Sequence, residues 1–328
     1  MRKPFQKPAL SVDDQLAKLV DRGLIVQDEN EAKHYLHQIG YYRLCGYTLP
    51  FQRGGDGQDR HKFREPVEFS IILDRYVFDR KLRLLLLDAI ERIEVSLRAA
   101  LSNSIAQRHT PHWYQNPALF QAEYDHAALI KELKRQIVHN ADTPEKEARR
   151  DKHIRHYYDT YHTPGMPPSW MVFETVSFGT VSRIFEGLHK SETTEICTAL
   201  KVNHDTLSSW MHSISYVRNL CAHHKRVWNK TLTIKPAIAK KHKEKFQGNR
   251  KIYGAMVVIQ IMLDRVAPDN TWAERLSELL EEHPQVPLAN MGIPENWKAR
   301  PFWGLTLPRE EIAPSDAPTG CDGADLRP

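Results

Sequence analysis

The sequence predicts an all-α protein, on three observations. Apolar residues recur at three- and four-residue spacing over long stretches, as one face of a helix requires. No stretch of useful length alternates as a strand would. Glycine is scarce, 15 of 328 residues against 20 prolines, which disfavours turn-rich folds and phosphate-cradling glycine loops. A hydrophobic share of 41% is enough for a sizeable core, so general disorder, a collagen-like chain and a disulfide scaffold are excluded.

Taken in order, Ser11 followed by Asp14 marks a helix start, with Leu16, Leu19 and Val20 as its apolar set and Gly23 as its stop. A second short helix runs from Asn30 towards Ile39 and ends at Gly40. Residues 41–51, YYRLCGYTLPF, read as an aromatic segment broken by Gly46 and Pro50, and residues 53–60 as a loop. From Pro66 to Arg108 there is no further Pro and no Gly. Leu82, Leu86, Ala89, Ile90, Ile93, Leu97 and Leu101 mark one long amphipathic helix there, or two joined end to end, with Arg80, Arg83, Asp88, Glu91 and Arg92 mostly on other faces. Helical stretches follow at 118–139 and, strongly charged, at 144–158. The Pro-rich residues 163–170 lead into a helix carrying Met171, Val176, Val181, Ile184, Phe185 and Leu188. Leu207, Trp210, Met211, Ile214, Val217 and Cys221 mark the next, capped by Asn203 or Asp205. A last core helix is expected at 251–266. The chain thus divides into an N-terminal helical and aromatic extension (1–65), a helical core (66–270) and a C-terminal segment with an acidic end (271–328).

The formal charge of +5 is a cancellation. Residues 225–251 hold ten Lys or Arg against Glu244 alone, +9, while residues 270–328 hold five basic and ten acidic residues, −5. A lysine-rich run is either a solvated loop or a surface for a polyanion. Four scattered cysteines, Cys45, Cys197, Cys221 and Cys321, form no zinc or disulfide spacing, and no apolar run suits a signal or a membrane span. A cytoplasmic protein without membrane association is expected.

Candidate chemistry concentrates in residues 215–229, SYVRNLCAHHKRVWN. A neutral imidazole can take the proton of a ribose 2′-hydroxyl, and a guanidinium offers forked donors to the charge growing on the phosphate. Arg218 with Asn219, His223 and His224 supplies both groups, and Lys225, Arg226 and Lys230 would hold a strand by its phosphates. The same residues also suit a dipole-compensating helix end. On an ideal helix Arg218 and His223 lie about 140° apart, so they converge only if the helix bends, or ends near Ala222, or if a second chain completes the site.

Residues 218–229, RNLCAHHKRVWN, resemble the signature of the Abi-like proteins, the AbiD/AbiF group of abortive-infection proteins in the HEPN superfamily. That signature is an Arg, commonly followed by a polar residue, then a His after four to six positions. Four further blocks resemble the family in its order: residues 41–51, 86–101, 167–188 and 291–303. The resemblance spans roughly residues 10–305. It implies an all-α HEPN-type helical bundle and a homodimer whose facing motifs form a composite endoribonuclease site. The activity it implies uses neither metal nor cofactor and acts on RNA in phage defence. Arg218 would stabilise the phosphate and His223 transfer protons; Asn219 would support them, and His224 is the alternative histidine. A non-catalytic RNA-binding or partner-binding protein, or a toxin neutralised by an antitoxin protein or RNA, are the competing functions.

Other features carry structural expectations. Tyr41, Tyr42, Arg43 and Tyr47 could stack on bases, but packing against the bundle is preferred. Glu91 and Glu94 are read as partners of Arg218 or other arginines. His153 and His156 have no visible third metal ligand. Trp170 and Phe178 are expected in the core, and Cys221 as a packed thiol.

Overall fold

A computed structural model describes residues 4, 6, 8–138 and 151–305. The acidic end of the chain with Cys321, and residues 144–150 of the charged stretch expected at 144–158, lie outside the described residues. As the periodicity predicts, the fold is helical; the strands β1 (Leu24–Ile25) and β2 (Val67–Glu68) form a short parallel pair, Leu24 opposite Val67. Among the described residues no helix is long and apolar enough to cross a membrane.

The N-terminal helices are α1 (Val12–Asp21), α2 (Glu29–Ile39) and α3 (Tyr41–Thr48). Ser11 and Asp14 form the expected capping box of α1, and Asp28 caps α2. Gly40, at φ 89°, makes the sharp joint between α2 and α3. Gly46 does not break the aromatic segment: it lies inside α3, where Leu44 and Tyr47 are buried on either side of it. Tertiary packing of two large side chains outweighs the helix cost of one glycine, about 1 kcal/mol.

The organising element is α4 (Phe69–Arg108), a single helix of 40 residues, about 60 Å long. Every apolar position expected on its inner face is buried. Arg83 departs from the expected outer set and is buried too, because its partner Asp79 lies inside. Against α4 pack α3, α7 (Ser169–Thr175), α10 (His204–Ala222), α11 (Ile252–Val266) and α12 (Trp272–Glu282). Helix α10 also packs closely on α8 (Phe178–Gly187). The remaining helices are α5 (His126–Val138), α6 (Lys152–Thr160) and α9 (Thr194–Leu200). One hydrophobic core runs through these elements, from Leu16 to Trp303.

Several boundaries differ from the sequence expectation. The helix expected from residue 118 starts at His126, after a short turn helix at Pro117–Leu119. The single helix expected after residue 170 is two, because Ser177 caps a new start by accepting from the Thr180 N–H. Trp170 is not core: it is 49% exposed, since Ser169, Val172 and Phe173 occupy the inward positions of α7. Phe178 is buried as expected. Helix α12 follows the last helix read from the sequence; its apolar stripe, Trp272, Ala273, Leu276, Leu279 and Leu280, is interleaved with acids.

The start of α5 is held under α8 by backbone pairing of residues 119–121 with 187–189. There the absence of a side chain at Gly187 matters: a Cβ would lie 2.5 Å from the Tyr124 ring. Gly187→Ala is therefore expected to destabilise the protein by about 1–3 kcal/mol through overpacking, read as a lowered urea midpoint. An unchanged midpoint would show that Tyr124 yields freely.

Candidate nucleic-acid interface

Helix α10 ends where the candidate chemistry begins. Asn203 caps its start, accepting from the Thr206 N–H at 2.8 Å. Its last helical residue is Ala222, and His223 is the C-cap. His224 follows in the left-handed region, φ 55°. The His224 N–H donates to the Cys221 carbonyl (2.9 Å) and the Lys225 N–H to that of Leu220 (2.8 Å), a Schellman closure with histidine where glycine is usual. The helix thus ends at Ala222; the His223 N–H still bonds to the Asn219 carbonyl at 3.1 Å, and the chain leaves the helical path at His224.

Arg218 lies one turn before the stop. Its Nε is 3.7 Å from Glu94 on α4, and Nη1 donates to Asn219 Oδ1 at 3.5 Å. Glu94 also receives Arg98, whose Nη1 reaches the carbonyls of Phe173 and Val176 on and just beyond α7. Arg218 is thereby oriented by a partly buried acid while 41% of its side chain stays exposed, enough to meet a phosphate. The expectation for Glu94 holds, whereas Glu91 is exposed. Asn219, His223, His224 and Lys225 are exposed around Arg218.

The turn after the motif is held by a residue the sequence reading passed over. Asp79 of α4 is fully buried, and its Oδ1 accepts from the backbone N–H groups of Val227 (3.0 Å) and Trp228 (2.7 Å). Its Oδ2 accepts from Tyr47 (2.6 Å) and pairs with Arg83. Burial pushes the Asp79 carboxyl up from the usual range, and Arg83, Tyr47 and the two N–H groups pull it back. The same burial, with the Asp79 charge nearby, raises the Tyr47 hydroxyl.

Two arginines exchange contacts between α3 and this turn. Arg43 donates to the His224 carbonyl at 2.6 Å, and Arg226 donates to the Gly46 carbonyl. Arg226, a candidate strand contact, is thus engaged with backbone, while Lys225 is exposed and Lys230 half-buried. The aromatic segment divides: Tyr47 is buried and stacks on Trp228, whereas Tyr42 is 93% exposed. Signals for Asp79 and Arg43 existed: an acid on an apolar helix face, and a cation beside Gly46 in a packed segment.

The basic segment after the turn runs back along α10. Ser213 Oγ donates to the Ile234 carbonyl (3.4 Å), Trp210 Nε1 to the Ala237 carbonyl (2.8 Å), and the Ala237 N–H to Ser209 Oγ (2.9 Å). Partners on α10 thus fall as those on the segment rise. The +9 stretch is pinned to the helix that carries Arg218, not a free loop.

Cys221 is a buried thiol, pushed up to about 12 chiefly by burial, as expected of a packed residue. His153 is within hydrogen-bond distance of Thr175, and His156 of Thr160. Among the described residues no three His, Cys, Asp or Glu stand together as metal ligands.

A family model described as Abi-like protein matches residues 34–229, more than half of the chain. No curated protein and no solved structure matches.

Two variants test how the site is built. Asp79→Asn keeps an acceptor for the two N–H groups but leaves Arg83 buried without its charge partner. A loss of about 3–5 kcal/mol is expected in urea unfolding, with faster amide exchange at Val227 and Trp228. His224→Gly removes an imidazole and relieves a left-handed residue, so stability should rise by about 1 kcal/mol, measured in the same way. A fall would mean that the His224 side chain itself holds the turn.

Proposed function

Because the chain belongs to the Abi-like protein family, we propose that it acts in abortive phage defence as a HEPN-type endoribonuclease of the AbiD/AbiF kind. The observation that carries this reading is the part-exposed Arg218 with the exposed Asn219, His223 and His224 at one helix end, next to a +9 segment packed on the same helix. In this reading His223 takes the proton of a ribose 2′-hydroxyl and the 2′-oxygen attacks phosphorus. The bond from phosphorus to the 5′-oxygen breaks, the 5′-oxygen leaves with the proton that the protonated His223 gives up, and a 2′,3′-cyclic phosphate remains. Arg218, oriented by Glu94, stabilises the equatorial oxygens as charge builds on them. Asn219 supports the arginine, and Lys225 and Lys230 contact neighbouring phosphates.

Exposure also supports the proposed homodimer: a site with Arg218 and the histidines open on one surface gains water exclusion when a second copy covers it. A cytoplasmic setting follows from the RNA substrate.

Purified protein is expected to cleave mixed RNA in EDTA. Arg218→Ala and His223→Ala should each lower the rate by at least about 10²-fold with the urea midpoint unchanged. His224→Gly should leave most of the rate if His223 is the proton acceptor; the reverse ranking would transfer the role to His224. Undiminished cleavage by the Arg218 and His223 variants would overturn the assignment. Salt-sensitive RNA binding without any cut product would replace it with a binding protein.

A further inference from the structure

At the far end of α10 from the motif lies a cleft of about 770 Å³. That volume is the size of a pocket for a nucleotide-sized ligand, about 300–1,000 Å³. Four lysines line it, Lys190, Lys201, Lys240 and Lys241. Lys190 is neutralised by Asp205 at 2.8 Å. The side chains of the other three have no hydrogen-bond or ion-pair partner among the described residues, and all three are exposed. They come from separate elements: Lys201 from the left-handed C-cap of α9, Lys240 and Lys241 from the turn helix Lys240–Lys245 that ends the run alongside α10. With the Lys190 and Asp205 charges cancelling, three cations remain on one concave surface, raise the local potential and favour an anion there.

The rest of the lining suits a nucleotide. Cys197, Val202 and Ala239 give an apolar wall, and Thr194, Thr198 and Thr206 supply hydroxyls. The first turn of α10 also lines the cleft and adds the positive end of a helix dipole.

We infer that this cleft binds the phosphate of a nucleotide unit, with Lys201, Lys240 and Lys241 as its cations. Two sources share that chemistry: a free nucleotide, or a strand that extends from the motif. The second source rests on the endoribonuclease reading; the first does not. The 19 residues between Asn203 and His223 set them about 30 Å apart, so a strand of several nucleotides is needed to reach both ends. Along that path the basic segment lies against α10, with Lys225 and Lys235 exposed.

The test uses the full chain carrying Arg218→Ala and His223→Ala, so that cleavage does not interfere. Two probes are titrated in EDTA: adenosine 5′-monophosphate, and a labelled twelve-nucleotide oligouridylate followed by anisotropy. Each is compared with the same chain carrying Lys201→Glu, Lys240→Glu and Lys241→Glu, and with the three Lys→Gln changes as a gentler set. Unchanged urea midpoints establish that both sets fold.

At least a tenfold weakening is expected in the glutamate set. For the oligonucleotide, the plot of log affinity against log salt should become shallower by about 2, from three lost contacts on a single strand. Weakening of the mononucleotide alone assigns the cleft to a free nucleotide, and weakening of the oligonucleotide alone assigns it to a strand. Unchanged affinity for both probes, or no binding of either before the lysines are changed, overturns the inference. Cleavage by the chain with its motif intact is scored separately, so either reading can fail without the other.

Discussion

The buried carboxylate of Asp79 is the joint on which the arrangement depends. An ionised group without water must have its lone pairs occupied, and here four donors from three parts of the chain do so: Arg83 one turn along α4, Tyr47 of α3, and the N–H groups of Val227 and Trp228. Each donor arrives from a different direction, so the carboxylate fixes their relative positions as well as satisfying them. The backbone leaving α10 is thereby tied to the helix that also holds Glu94, four turns further along. Arg218 and the turn carrying the histidines are referred to one rigid element, α4, though they are met through different acids.

A second constraint acts on the same turn. A helix C-terminus leaves carbonyls without partners, and the residue that closes it must adopt a left-handed conformation. Here His224 does so, although glycine would do it with less strain. Arg43 takes the His224 carbonyl and Arg226 returns to the Gly46 carbonyl, so α3 and the turn hold each other by reciprocal arginine–backbone contacts. Packing of the Tyr47 ring on Trp228 fills the space between them. A histidine kept at a glycine-favoured position, with its imidazole exposed, is better explained by a task for the ring than by the fold.

What was legible in the sequence follows from what each feature depends on. Helix α4 shows in the sequence because its inner face is a local periodicity, uninterrupted by Pro or Gly over 40 residues. The caps Ser11 and Asn203 show for the same local reason. Helix α3 did not show, because Gly46 and the aromatic content speak against a helix until Tyr47 meets Asp79 and Trp228, residues 32 and 181 positions away. Trp170 and Arg83 fail in opposite ways: a large ring left outside and a cation taken in, each decided by a partner or a neighbour the pattern does not contain. At the site, the motif residues were legible by type and spacing, while the contacts of their supports Asp79, Arg43 and Arg98 were not, since each acts across the fold.

The course of the basic segment changes the meaning of its charge. Ten cations in 27 residues would repel one another and stay extended in water if nothing held them. Here the backbone is held instead, by Ser213, Trp210 and Ser209 on α10, and by Arg250, whose carbonyl accepts from the Leu232 N–H. The repulsion is therefore retained in the folded state, a standing cost that a bound polyanion would remove. Since the anchoring bonds use backbone groups and neutral side chains, Lys225, Lys235, Lys240, Lys241 and Lys243 are left exposed, and none of the described acids is spent on Lys201, Lys240 or Lys241. A surface kept for solubility would gain from interspersed carboxylates; the basic segment holds one, Glu244, and the cleft lysines Lys201, Lys240 and Lys241 have none as an ion-pair partner among the described residues. That distribution is what a protein needs if its ligand, not its fold, is to supply the negative charge.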